Sequence, residues 1–194
     1  MQQENFSEHN SLQLIESMIN KAKNRFSENG TLYMLWGYTI LLCSIGQFIL
    51  SHYVSYNQSQ YIWSLTWVVV IYQVVFLAKK RKNEKVKTYT DDIVNVIWLA
   101  FVICLFLVMF ILGYSNTQIL ITPMIMVLYG VPTFLSGTIL KFTPLKIGGA
   151  CCWLLAIASM FIHFQYYFLL LGAAVIAAWI IPGHLLRIRY KKQN

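Results

Sequence analysis

The chain of 194 residues is 58% hydrophobic and 15% aromatic, and only 11% of it is charged. Soluble domains usually carry about 25% charged residues, and a core of this size cannot hide so much apolar surface, so a water-soluble globular fold is excluded and lipid is the expected solvent. The net charge of +8 leaves nucleic acid or a membrane surface as partner, and the placement of the charges decides between them.

Residues 1–30 are polar and lack the apolar core of a cleavable signal peptide. Within them, 11–29 predicts an amphipathic helix: Leu12, Ile15, Met18, Ile19, Ala22 and Phe26 share one face, and Glu16, Asn20, Lys21, Lys23 and Asn24 lie elsewhere. Asn10 with Gln13 resembles a capping box, and Gly30 suits the helix end. Such a helix lies in the membrane interface, docks on the bundle ends, pairs with a second copy, or simply leads into the first span.

Three charge-free stretches follow, Thr31–Ala78, Ile93–Leu140 and Ile147–Leu186. A membrane helix needs about 20 apolar residues, so each stretch has the length of two spans and a turn. Polar breaks stand near the middle of each: Ser51-His52-Tyr53 and Ser55–Gln60, then Gly113–Gln118, then His163-Phe164-Gln165. Backbone in lipid must satisfy its own hydrogen bonds, so each segment is expected to be a helix. The fold class is therefore an all-α polytopic membrane bundle. Its six transmembrane helices form three consecutive hairpins, at about 31–50, 61–78, 93–112, 119–140, 145–162 and 166–186. A cytoplasmic segment 1–30 precedes this domain (31–186), and a basic tail 187–194 follows it.

All 15 Lys and Arg residues fall on one side of this layout. They lie in the N-terminal segment (Lys21, Lys23, Arg25), the loop after the second span (Lys79, Lys80, Arg81, Lys82, Lys85, Lys87), the loop after the fourth (Lys141, Lys146) and the tail (Arg187, Arg189, Lys191, Lys192). Basic loops face the cytoplasm, which places both termini there. Topology thus accounts for the charge, and nucleic acid is not an expected partner. Tyr33, Trp36, Tyr38, Tyr53, Tyr56, Tyr61, Trp63, Tyr114, Tyr166 and Tyr167 fall near span ends, as an interfacial aromatic belt would. The run Lys79–Lys87 either fixes topology alone or also contacts anionic lipid, with Lys79, Lys80, Arg81, Lys82, Lys85 and Lys87 as the candidate contacts. Asp91 and Asp92 suit the start of the third helix, where carboxylates complement the helix dipole.

Apart from Lys146 at the inner end of the fifth, the spans hold no carboxylate or amine, which disfavours ion-coupled transport, voltage sensing and buried acid–base chemistry. The uncharged polar residues Gln73, Asn95, Ser136 and Thr138 are expected in the cytoplasmic half, as interhelical hydrogen-bond partners or as the lining of a small inward cavity. Ser44 and Gln47 lie in the outer half. The fourth span holds Pro123 and Pro132, with Gly130 and Gly137 around the second, and is expected to be broken there, a feature of some substrate sites. Small residues at four-residue spacing (Gly148 and Cys152, Ala173 and Ala177, Ala174 and Ala178) predict close contacts of the fifth and sixth helices, within the chain or in a homo-oligomer. Pro182-Gly183-His184 is expected to interrupt the last helix at its exit from the membrane.

Cys43, Cys104, Cys151 and Cys152 all sit in apolar runs without metal-type spacing. His52 and His163 fall in outer turns, too few for a metal site. No catalytic residue, metal or cofactor is expected.

Three stretches carry a resemblance: Ser11–Ile19 through Leu32–Gly37, Gly130–Gly137 with Lys141–Leu145, and Ala178–Leu186. Together they resemble an uncharacterised group of small multi-spanning membrane proteins from Bacteroidota. The resemblance covers nearly the whole chain and implies a bacterial cytoplasmic (inner) membrane, but it brings no activity and no site residue. The leading expectation is a non-enzymatic scaffold or regulatory partner, acting on a cytoplasmic protein through the N-terminal helix and basic loop. The alternative is a transporter or channel for a neutral or lipid-like solute through the proline-broken fourth helix.

Overall fold

The computed structural model describes residues 30–53, 56–83, 89–115 and 117–193, and among these there is helix and turn but no strand. Helix α1 is Thr31–Tyr53. A short helical turn, Tyr56–Ser59, and a 3-10 segment, Gln60–Trp63, lead into α2, Ser64–Asn83. Helix α3 is Tyr89–Tyr114, and a 3-10 turn at Gln118–Leu120 opens α4, Ile121–Ile139. Lys141, at φ +48°, reverses the chain into α5, Thr143–Ser159. A 3-10 turn, Phe164–Tyr166, starts the last helix, α6, which comprises Tyr167–Val175, a π-helical stretch Ile176–Ile180, and Ile181–Gln193.

Among the described residues, five segments are long and apolar enough to cross a membrane: Thr31–Ser51, Gln60–Lys79, Asp92–Tyr114, Gln118–Ile139 and Phe164–Lys192. Helix α5, with 17 residues, is about 25 Å long at 1.5 Å per residue. It stops short of the expected boundary at Ile162 because Met160, Phe161 and Ile162 each bond three residues back in a tight turn. The amphipathic helix expected at 11–29 lies outside the described residues.

Two expected interruptions are corrected. Helix α4 is continuous through both prolines. Pro123 falls in its first turn, where no intrahelical donor is needed, and Pro132 lies inside a helix that tertiary packing holds together. Helix α6 likewise runs through Pro182-Gly183-His184 to Gln193. The N–H of Ile181 bonds the carbonyl of Ile176, five residues back. This widened turn adjusts the helix just ahead of the residue that cannot donate.

Helices α1, α4, α5 and α6 form the core. Helices α4 and α5 are antiparallel and meet through glycines: a Cβ on Gly149 would stand 2.8 Å from both Gly130 O and Phe134 N. Helix α5 approaches α6 the same way, a Cβ on Gly148 falling 2.6 Å from Ala177 O. Cys152, Ala174 and Ala178 are fully buried nearby, so this small-residue face serves an intrachain contact. The Pro182-Gly183 segment is also a packing contact, since Gly183 is buried against Met34 of α1 and Gly30 just before it.

Helices α2 and α3 are peripheral, α2 lying mainly on α1 and α3 on α4. In the most apolar stretch of α2 only 6% of residues are buried, and in that of α3, the most apolar helix, none are. An aromatic chain ties α3 to the core. Trp98 lies edge-on to Tyr33 at 5.7 Å and 6.0 Å from Trp179, Phe101 is 5.7 Å from Tyr129, and Tyr129 is 4.4 Å from Trp179. Tyr33 and Tyr167 are therefore core residues, whereas Tyr53, Tyr61 and Tyr114 are exposed at helix ends.

Candidate functional site

The polar and kink positions singled out in the sequence fall into separate surroundings. Gln73 on α2 is half-buried and accepts a hydrogen bond from the indole N–H of Trp36 on α1. Asn95 on α3 is exposed, so these two residues do not make a joint buried site. Thr138 is exposed and donates to Phe134 O within its own helix at 3.0 Å. Pro123 and Gly130 are buried, and Pro132 and Ser136 are fully buried. Gly130 has Trp153 of α5 across from it, whose indole N–H donates to Val127 O at 3.2 Å.

Around Pro132 the interior is closed. Met126, Thr133 and Ser136 have no exposed surface, and Tyr129 and Trp179 have 6% and 3%. The polar atoms there are used locally. The Thr133 hydroxyl donates to Tyr129 O at 2.7 Å and accepts the Trp179 indole N–H at 3.0 Å. That link joins α4 to the π-helical stretch of α6. Ser136 Oγ has no hydrogen-bond partner among the described residues. Sequence reading passed over Thr133 and Trp179. The available signal was the spacing Met126, Tyr129, Thr133, Ser136, which places Thr133 on the buried stripe of α4.

A second polar locus lies at the far end of α1 from the basic loops. Ser44 and Gln47, one turn apart, are both fully buried. Gln47 Nε2 donates to Ser59 Oγ at 2.7 Å, and the Cys43 thiol donates to Ile62 O at 3.6 Å, so the segment 56–63 is anchored on α1. Gln47 Oε1 and Ser44 Oγ have no hydrogen-bond partner among the described residues. Near that end a shallow depression is bordered by Gln118, Thr122, Phe164, Tyr167 and Phe168. At the basic end, Tyr38 and His184 join α1 to α6 through a 2.8 Å hydrogen bond.

Lys79 is exposed on α2, and Lys80, Arg81 and Lys82 lie within the same helix. Lys85 and Lys87 fall outside the described residues. Among the described residues, no group of three or more His, Cys, Asp or Glu is placed to hold a metal ion.

No protein-family model, no curated protein and no solved structure matches the chain.

Proposed function

We propose that this chain is a six-span integral protein of the bacterial cytoplasmic membrane, with both termini inside, and that it works as a non-enzymatic scaffold or regulatory partner. The observation that carries this reading is the division between a closed four-helix core and an outer pair, α2 and α3, joined by the most basic segment of the chain. Their apolar faces suit lipid as solvent, and the connection between them offers a charged surface to a cytoplasmic protein. Antiparallel packing of α5 on α4 and α6 supports a sixth crossing despite its length, because α4 ends and α6 begins at opposite ends of the bundle. Local thinning and flanking residues accommodate a short span at modest cost. Impermeant maleimide applied to intact cells checks the topology. A thiol introduced at Asn57 is expected to react and one at Asn83 to stay protected until the cells are opened, and equal reaction at both overturns the arrangement.

A transporter or channel would need accessible space beside Pro132, and Pro132, Met126, Thr133 and Ser136 are fully buried. Reconstituted liposomes are therefore expected to show no flux of small neutral solutes above protein-free controls. Affinity capture of the intact chain from membranes is expected to retain a cytoplasmic protein that a chain lacking residues 1–29 loses. Robust flux without such a partner would overturn the scaffold reading in favour of transport.

A further inference from the structure

The inner half of α6 turns one side outward. Over half of the helix's apolar stretch is buried, yet Ile181, Leu185 and Ile188 are 51%, 42% and 52% exposed. At 3.6 residues per turn these three share an arc of about 60°. Arg187, Lys191 and Lys192 are exposed on the same outward half of the helix. Lys191 and Lys192 lie about 4.5 and 6 Å beyond Ile188 at 1.5 Å per residue, within a headgroup layer roughly 5–7 Å deep. Arg187 reaches that level by extending along the helix, as long basic side chains do at a membrane surface. The other half of the segment is occupied: Pro182, Gly183 and Leu186 are buried, and Arg189 is held 5.7 Å above the Phe142 ring. The 2.8 Å bond between His184 and Tyr38 fixes the rotation of the helix against α1.

We propose that the outward side of inner α6 is a binding site for an anionic phospholipid, with an acyl chain along Ile181, Leu185 and Ile188 and the phosphate among Arg187, Lys191 and Lys192. The inference rests on the membrane placement proposed above. Charge complementarity selects the occupant. None of α1, α4, α5 and α6 contains an Asp or Glu, so the core has no carboxylate to compensate the three cations. A neutral lipid gains nothing from them, and a second copy would set three like charges against them. An acidic soluble protein could meet the cations but not the apolar residues one to two turns deeper. The basic turn between α4 and α5 is a built-in contrast. Lys141 and Lys146 flank Phe142 and Leu145, which are 7% and 0% exposed, so the apolar side chains between those two cations are closed to a lipid chain.

The full chain reconstituted in phosphatidylcholine bilayers tests this with a trace of photoreactive lipid, a diazirine in the acyl chain of either phosphatidylglycerol or phosphatidylcholine. After illumination, adducts on residues 176–189 are counted by mass spectrometry against those on α3, whose exposed apolar surface is the reference for ordinary lipid contact. The phosphatidylglycerol probe is expected to label 176–189 about fivefold or more over the phosphatidylcholine probe, a preference that falls with added salt. The triple variant R187Q/K191Q/K192Q is expected to bring the ratio close to one. The triple variant K79Q/K141Q/K146Q removes the same charge from other basic segments and is expected to keep most of the preference. Equal labelling of the native chain by both probes overturns the proposal, as does an equal loss in the two triple variants. A disulfide between two copies of I181C or L185C, absent from the native chain, would also overturn it, by assigning the stripe to a self-interface. Should the membrane reading itself fail, α3 would carry no adduct from either probe, which separates that outcome from the others.

Discussion

The four inner helices and the outer pair solve different problems with different residues. Helices α1, α4, α5 and α6 approach closely through glycine, alanine and serine, and their buried set includes Ser44, Gln47, Thr133, Ser136 and Ser159. Helices α2 and α3 carry large side chains, such as Trp67, Ile71, Phe106 and Phe110, turned outward. The most apolar helix, α3, is thus the least buried one, the reverse of a water-soluble fold. When the solvent is itself apolar, burying a leucine gains little, and helices associate through close packing and interhelical hydrogen bonds.

Substitutions in the inner helices and in the outer pair should separate the two regions. The largest effect is expected at Gly148: Gly148→Leu would drive a side chain into the Ala177 and Ala178 backbone and cost more than about 3 kcal/mol, seen as a collapse of thermal stability in detergent. A tolerated G148L would mean that α5 and α6 do not meet there. Next comes Trp179→Phe, which keeps most of the aromatic stacking but loses the donor to Thr133, for about 1–2 kcal/mol measured by the same assay. Ser44→Ala should raise stability by up to about 1 kcal/mol, because the hydroxyl it removes is buried without a partner. A loss of that size would instead reveal a satisfied hydroxyl. At the seam between the regions, Gln73→Leu removes the acceptor for Trp36 and is expected to cost about 0.6 kcal/mol, the typical worth of such a bond between membrane helices. The smallest change belongs to the outer pair itself. Leu107→Ala on α3, at a residue 55% exposed, should stay within about 0.5 kcal/mol, and a loss of several would show that this face is covered by protein.

Much of the layout was readable because charge and apolar runs are one-dimensional properties. The helix starts at Thr31, Tyr89 and Thr143 and the reversals near Tyr53, Ser115 and Lys141 stand within a few residues of where composition places them. Prolines misled because their effect depends on surroundings. At Pro123 the missing donor falls in a first turn, at Pro132 a packed interior keeps the helix whole, and at Pro182 a widened turn absorbs the defect. The candidate positions split for a similar reason. Gln73, Asn95, Ser136 and Thr138 look alike as uncharged polar residues in spans. Their fates, a bond to Trp36, exposure, burial without a partner, and a bond within the helix, depend on which way each helix is turned. Sequence spacing alone left that rotation open for α2 and α3, which are apolar all round.

From the order of its residues alone, this protein was committed to long apolar helices with its charges confined to the segments between them. Hydrocarbon excludes charge and demands internally satisfied backbone wherever it is met, and both demands are local. Which four helices close into a core, which two stay outside, and which serines end without partners were settled only by three-dimensional packing. Those outcomes turn on how closely particular backbones approach, at Gly130, Gly148 and Gly183, and that distance is a property of pairs of helices rather than of any one segment.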